Sequence, residues 1–279
     1  MPFTMSHPAA VIPLARGPLV PSALVVGSMV PDVPYFFGMG ALRGATHVPL
    51  GLVTIDLGLG LIFFAAFHLI WKLPLLAMTP GWAHARLAMP ALAFRRSMIK
   101  WVPLSIVVGA ATHLFWDAFT HKHHSFAGAL PWLISTSWGG LTLNRWLQYA
   151  SGVLGVVIIV WWLARWSRTA PVTAAAPERL TSRVAWTVAG ALVLATCGGG
   201  LLGAVTLINQ PDVPRTFHMT LASGVEGAIA GFGLALSLYG LAWTVATRRR
   251  TGGPAVAEPE PGERGGPAPS DIGAGRWLI

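Results

Sequence analysis

Charged side chains are scarce in this chain. Asp, Glu, Lys and Arg together make up 10% of its 279 residues, whereas a soluble domain carries about 25%. Hydrophobic residues make up 54% of the chain. This composition excludes an ordinary soluble globular domain and predicts an integral membrane protein.

Acidic residues and cysteine are rarer still. Ten Asp and Glu stand against 19 Lys and Arg, which gives a formal net charge of +9. The basic residues stand in short clusters between apolar runs, the pattern of loops that orient a membrane protein rather than of a nucleic-acid surface. The single cysteine, Cys197, rules out an intrachain disulfide. We therefore expect membrane lipids and no nucleic acid as partners, and these patterns leave the oligomeric state open.

Five apolar runs reach the length of about 20 residues that a membrane span requires. Two shorter apolar pieces, residues 8–17 and 19–31, precede them, and they either join as one kinked span or fold as a re-entrant pair with its apex near Pro18. The predicted fold is all-α, a polytopic helical membrane bundle with five long spans and a short N-terminal helix pair. The predicted spans cover residues 49–71, 100–120, 147–166, 184–208 and 219–246.

The distribution of Lys and Arg predicts the orientation. The loop between the first two spans contains five basic residues and no acid, and Arg248, Arg249 and Arg250 follow the last span. Because Lys and Arg concentrate in cytoplasmic loops, this loop and the C-terminus are predicted to be cytoplasmic, in a multi-pass protein of the inner (cell) membrane. The membrane-embedded domain is predicted to cover residues 1–247. The Pro- and Gly-rich tail, residues 248–279, is predicted to be disordered and cytoplasmic.

Three ionisable residues, His113, Asp117 and His121, form a stripe near the outer end of the second predicted span. Residues four apart share one face of a helix, and imidazole and carboxylate are ligands that suit zinc. His113 and Asp117 can share one metal ion, because one turn rises about 6 Å. His121 would lie about 12 Å from His113 along a straight helix, so it needs a second ion or a helix end near Phe119. The alternative is a helix end whose polar groups meet interfacial water.

The predicted topology brings three further polar residues to the same side of the membrane. If the short N-terminal pieces fold back on each other, His7 and Asp32 emerge together. His47 begins the next span on that side, and Asp117 ends the following one there. Taken singly, each has a simpler interpretation, because His7 lies at a helix start and Pro31-Asp32 can form a turn.

Two acids, Asp56 and Glu226, lie inside predicted spans. A carboxylate at that depth costs roughly 2–3 kcal/mol, so each is predicted to face the interior of the bundle. Asp56 is predicted to accept a hydrogen bond from a metal-bound imidazole. The remaining histidines are predicted to lie at the membrane interface or in solvent: His68, His84, His123, His124 and His218.

Four segments carry a family resemblance. Residues 1–10, 21–32, 46–47 and 113–121 resemble an uncharacterised bacterial membrane family, domain of unknown function 4184, and the likeness extends to about residue 245. More distantly, an early His, a Pro-Asp element, a Thr-His pair and a His-x-x-x-Asp motif resemble inner-membrane metal-dependent hydrolases and the zinc-dependent phospholipase C group. Pro34 stands where those proteins have a second acid. The distant resemblance implies metal-ligand roles for His7, Asp32, His47, His113 and Asp117.

The leading hypothesis is a membrane-embedded, metal-dependent hydrolase that acts at the outer membrane interface on a lipid phosphoester, with zinc as the expected divalent metal. Asp32, His113 and Asp117 would be the primary ligands, and His7, His47 and His121 would complete the set. The alternatives are not enzymes. One is a proton- or cation-coupled transporter that uses Asp56 and Glu226, and the other is a structural or assembly protein. The sequence does not determine the substrate or the number of metal ions.

Overall fold

The computed structural model describes residues 4–120, 129–173, 178–209 and 216–251. The described residues are mostly helical and include five helices that are long and apolar enough to cross a membrane. The predicted all-α membrane bundle is confirmed. In chain order the first to fifth spans are Pro49–Met78, Arg96–Thr120, Leu143–Thr169, Ser182–Ile208 and Met219–Arg249.

Short helices connect and interrupt the spans. The only strands in the described residues are β1 (Ser137–Trp138) and β2 (Leu141–Thr142), which pair antiparallel around Gly139 and Gly140. One π-helical segment, Phe67–Trp71, interrupts the first span. The 3₁₀ turns are Thr4–Ser6, Ile12–Leu14, Val30–Asp32, Gly40–Leu42 and Arg96–Trp101. The α-helices are α1 (Pro8–Val11), α2 (Pro21–Met29), α3 (Val33–Phe36), α4 (Arg43–Thr46), α5 (Pro49–Val53), α6 (Ile55–Ala66), α7 (Lys72–Met78), α8 (Gly81–Leu92), α9 (Val102–Thr120), α10 (Pro131–Ser135), α11 (Leu143–Thr169), α12 (Ser182–Ile208) and α13 (Phe217–Thr251).

Several membrane-spanning helices are longer than the apolar runs from which we predicted them. The first continues to Met78 rather than residue 71, and the second begins at Arg96 rather than residue 100. An apolar run in the sequence ends at the first charged residue. The helix can continue past Lys72, because a long basic side chain on a membrane helix can extend its charged end to the interface. The last helix likewise continues to Thr251, and residues 252–279 of the predicted tail lie outside the described residues.

The N-terminal pair is a hairpin rather than a kinked span. Helices α1 and α2 pack against each other, and the turn between them passes through Gly17, whose φ of +63° suits a residue without a Cβ. The two ends of the hairpin meet, because the Thr4 hydroxyl donates a hydrogen bond of 2.7 Å to Asp32 Oδ2. The hairpin thus returns the chain to the side of the bundle from which it entered.

Helix α2 packs closely on the second span at two glycines. A Cβ on Gly27 would overlap the backbone carbonyl of Ile106, and a Cβ on Gly109 would overlap that of Leu24. The backbone N–H of Val20 also donates to the buried Ser105 hydroxyl, at 2.9 Å. These contacts hold the hairpin backbone directly against the second span, which carries His113 and Asp117.

Two of the remaining histidines are buried or half-buried in the protein. His84 is buried, and its Nδ1 donates to the Leu76 carbonyl oxygen at 2.9 Å, so it does not lie in solvent, one of the two places predicted for it. The cause is α8, which packs on α7. His68 is half-buried between Ser22 and Lys72. His123, His124 and the His218 side chain lie outside the described residues.

Candidate metal centre

Four buried side chains from three parts of the chain meet at one point. Asp32 ends the 3₁₀ turn after α2, His47 follows α4, and His113 and Asp117 lie one turn apart on α9. Their residue exposures are 2%, 7%, 0% and 1%. One ligand atom from each lies within 4.8 Å of the ligand atoms of the other three, so this four-residue cluster could hold a metal ion.

The nitrogen–oxygen spacings within the four-residue cluster are close to those around a tetrahedral ion. His47 Nε2 lies 3.5 Å from Asp32 Oδ1 and 3.5 Å from Asp117 Oδ2. His113 Nε2 lies 3.7 Å from each of the same two oxygens. Metal–ligand bonds of about 2.0–2.2 Å place tetrahedral ligand atoms roughly 3.3–3.6 Å apart. Four of the six donor–donor distances are therefore close to tetrahedral values, and the remaining two pairs lie within 4.8 Å.

A backbone carbonyl orients the ring of His113. Its Nδ1 lies 2.9 Å from the carbonyl oxygen of Ser28. A carbonyl only accepts hydrogen bonds, so Nδ1 carries a proton, and in the neutral ring the lone pair of Nε2 points into the cluster. This Nε2 is buried and makes no hydrogen bond within the described part of the chain. Such an outer hydrogen bond is the usual support for a metal-ligating histidine.

A hydroxyl orients the ring of His47 in the same way. Thr46 Oγ1 lies 2.9 Å from His47 Nδ1, 3.0 Å from the carbonyl oxygen of Pro31 and 3.3 Å from that of Arg43. The single hydroxyl proton is donated to a carbonyl, so the hydroxyl oxygen accepts a hydrogen bond from the N–H at Nδ1. The Nε2 lone pair of His47 therefore faces the two carboxylates.

The charges in the cluster depend on one another. Burial raises the pKa of the Asp32 carboxyl, but the imidazoles of His47 and His113 lower it more, so this pKa lies below its ordinary value. Burial lowers the pKa of His47, but the carboxylates of Asp117 and Asp32 raise it above its ordinary value. Two buried carboxylates thus require positive charge beside them, which either imidazolium groups or a cation can supply.

His7 lies against the four-residue cluster. Its ring stacks on that of His113, with centroids 3.9 Å apart, and its Nε2 lies 4.0 Å from Asp117 Oδ1. Asp117 therefore directs one oxygen to His47 and His113 and the other to His7. His121, the last member of the predicted stripe, lies outside the described residues. Pro34 lies buried in α3, where it offers no ligand atom.

The two intramembrane acids do not join the cluster. Asp56 is fully buried, but neither carboxylate oxygen makes a hydrogen bond to any described residue, so the predicted bond to an imidazole is not formed. The reason is that His113 and His47 direct their Nδ1 atoms to Ser28 and Thr46 instead. Glu226 lies half-buried on the fifth span.

Sequence reasoning missed Arg43. Its Nη2 lies 3.5 Å from Asp117 Oδ2, its guanidinium lies over the Tyr35 ring at 5.9 Å, and its side chain is 25% exposed. Arg43 thus connects the buried cluster with the surface. The available signal was its position four residues before His47, which places both on one face of a helical turn.

The fold and the cluster together define a helical multi-pass membrane protein with a buried His/Asp group. The chain belongs to the family described as domain of unknown function DUF4184, whose pattern matches residues 1–241. No curated protein and no solved structure matches the chain.

Proposed function

We propose that this protein is a membrane-embedded, zinc-dependent hydrolase that acts on a lipid phosphoester at the outer interface of the inner membrane. Asp32, His47, His113 and Asp117 would hold the ion, and His7 would complete the set beside Asp117. The observation that carries the proposal is the pair of oriented imidazoles, whose Nε2 atoms lie 3.5–3.7 Å from two buried carboxylates.

Charge balance supports a bound cation. Two ionised carboxylates and two neutral imidazoles carry a formal charge of −2, and the Arg43 guanidinium beside Asp117 offsets only one of these charges, so the cluster still favours a cation. Nitrogen and oxygen donors in a four-coordinate set are what zinc prefers. With these four donors, a catalytic ion would have to take water as a fifth ligand, an expansion that zinc sites allow. The ion would then lower the pKa of that water and polarise a phosphoryl oxygen. The four donors are almost completely buried, whereas the Arg43 side chain beside Asp117 is partly exposed.

Arg43 supports a phosphoester as substrate. A guanidinium presents a planar set of donors that matches phosphate oxygens, and this one lies between Asp117 and the surface. The segment that carries it also exposes large apolar side chains, which suit contact with lipid: Phe37, Met39, Leu42 and Val48. Arg43 would therefore bind and orient the anionic group of a lipid beside the cluster.

Proton- or cation-coupled transport is the second candidate, and Asp56 favours it. A buried carboxylate inside a span that lacks a hydrogen-bond partner among the described residues is costly, and such groups often carry protons or ions. In a transporter, the four-residue cluster would bind the transported cation transiently. Neutralising Asp56 would then stop transport.

Hydrolysis is tested with purified protein in proteoliposomes that contain a fluorogenic lipid phosphodiester and defined amounts of Zn²⁺ or chelator. We expect turnover that requires zinc and is lost in Asp117→Asn. Arg43→Gln should keep the ion but raise KM, because it removes a substrate contact and no proposed ligand. Arg86→Gln is the matched control, because Arg86 lies on α8 and bonds only to Trp82 in the described structure. Zinc-loaded protein without turnover on phosphodiester and phosphomonoester lipids contradicts the hydrolase and leaves the transporter and the structural or assembly protein as candidates.

A further inference from the structure

A cavity of about 1030 Å³ lies at the other end of the first two spans from the metal centre. Its wall includes Met98, near the start of the second span, whereas Asp117 lies near its end. Roughly 30 Å of helix separates these two residues. The cavity is therefore a separate site near the opposite membrane face.

The shortness of the N-terminal hairpin creates this space. Helix α2 has nine residues and a length of roughly 14 Å, whereas a bilayer core is about 30 Å thick. The hairpin fills only the half of the bundle that contains the metal centre. Its turn and the start of α2, within residues 15–22, form one wall of the cavity, and α8 and the end of the first span form others.

The polar groups that line the cavity are cationic or hydrogen-bond donors. Arg16 extends from the hairpin turn, and Lys72 extends from the first span. Lys72 Nζ lies 3.3 Å from His68 Nδ1, and His68 Nε2 lies 3.0 Å from the Ser22 hydroxyl. An ammonium only donates, so His68 accepts from Lys72 and donates to Ser22. No described residue of the cavity wall is Asp or Glu, and no ion pair in the described parts of the chain involves Arg16 or Lys72.

The rest of the wall is apolar. Leu19, Leu75, Leu87, Phe94 and Met98 face a volume at the upper end of the range of about 300–1,000 Å³ typical of ligand sites. The π-helical segment Phe67–Trp71 contributes Phe67 and His68 to it. Such segments occur frequently at functional sites, because the extra residue redirects neighbouring side chains.

We propose that this cavity binds one anionic phospholipid. Its phosphate lies between Arg16 and Lys72, and an acyl chain follows the apolar wall between α8 and the first span. Charge complementarity selects the anionic headgroup, because two cations without an acidic partner face a largely apolar space. The basic loop of residues 72–100 lies at the same membrane face, where anionic lipids attract such residues.

Native mass spectrometry of the protein in detergent tests the proposal. The probes are phosphatidylglycerol and phosphatidylcholine with identical oleoyl chains, added in equal amounts. We expect one retained phosphatidylglycerol per chain. Arg16→Gln/Lys72→Gln should reduce its retention roughly 30-fold, since one basic residue near an anionic lipid contributes about fivefold. Ala91→Trp, which fills the apolar wall, should reduce retention of the same lipid.

The matched control is Arg165→Gln/Arg168→Gln, which removes two exposed cations from the end of the third span outside the cavity. Thermal unfolding in the same detergent reports folding. If the double variant at the cavity unfolds, the single variant Arg16→Gln at the exposed turn should still reduce phosphatidylglycerol retention about fivefold. Equal retention of the two lipids overturns the proposal, as does an equal loss in the control. Unchanged phosphatidylglycerol retention in a folded Ala91→Trp variant overturns it too.

Discussion

The Nδ1 atom of His113 lies 2.9 Å from the carbonyl oxygen of Ser28, which joins the second span to the N-terminal hairpin. The direction of the Nε2 lone pair therefore depends on how closely two backbones pack. Gly27 and Gly109 permit that approach, because a Cβ at either position would overlap a facing carbonyl group. Packing of the hairpin and geometry of the cluster are thus coupled.

Gly109→Ala should weaken both folding and zinc binding. The new Cβ forces α2 away from the second span and moves the Ser28 carbonyl from His113. We expect a lower unfolding temperature and a loss of zinc affinity on the order of 10- to 100-fold, as for other lost outer contacts of metal ligands. Gly58→Ala is the matched control, because nothing lies within 4 Å of a Cβ there. Unfolding temperature and zinc titration against a competing chelator give both readouts, and equal behaviour of the two variants would contradict the coupling.

Thr46→Val should lower zinc affinity while the protein stays folded. The change keeps the shape of the side chain but removes the oxygen that accepts from His47 Nδ1, so the ring loses its fixed tautomer. We expect a loss of roughly 10- to 100-fold. Thr112→Val is the control, because its hydroxyl donates to Gly109 and does not contact the cluster. Unaltered affinity in Thr46→Val would show that the hydroxyl does not orient the ligand.

Zinc affinity should fall as pH is lowered from about 8 to 5.5, the range in which imidazole titrates. The neighbouring carboxylates raise the pKa of His47, so protons compete for its Nε2 already near neutral pH. Protons should compete with zinc for the Asp32 carboxylate only in stronger acid, because the pKa of Asp32 lies below its ordinary value. Zinc affinity falls at lower pH because a metal ion binds only the deprotonated form of each ligand. Isothermal titration in buffers of different ionisation enthalpy should detect proton release on binding, and affinity independent of pH would exclude His47 as a ligand.

The loop of residues 72–100 and the C-terminus should be cytoplasmic, because Lys and Arg concentrate there. A green fluorescent protein fused after residue 250 should fluoresce, and alkaline phosphatase at the same position should be inactive. The opposite pair of results would reverse the topology and place the metal centre at the cytoplasmic face.

The fold was largely predictable because hydropathy governs it. The lengths of the apolar runs located all five spans, and only the ends of the spans differed from the prediction. The first helix continues past Lys72 and the second begins at Arg96, although the hydropathy pattern ends at such charged residues. The choice between a hairpin and a kinked span was not predictable. It depends on the packing of Gly27 and Gly109 and on the bond from Thr4 to Asp32, which join residues far apart in sequence.

The candidate site was predictable only for side chains with a recognisable chemistry. Spacing and topology selected Asp32, His47, His113 and Asp117, which the structure brings together. The Ser28 carbonyl has no signature in the sequence, since any residue carries one. We predicted a hydrogen bond from an imidazole to Asp56 because of the depth of Asp56 in the span. The imidazoles of His113 and His47 instead bond to the nearer Ser28 carbonyl and Thr46 hydroxyl. Arg43 was missed because an arginine in a loop more often faces solvent.

Metal analysis of purified protein tests the central claim most directly. Under zinc-replete conditions, the wild-type chain should contain one tightly bound zinc ion. Asp117→Asn and His113→Gln should each lose it, because one donor of four is removed. Asp56→Asn should keep the wild-type stoichiometry, since Asp56 makes no hydrogen bond to the described ligands. A metal-free wild-type protein, or full zinc content in a folded Asp117→Asn variant, would contradict the account.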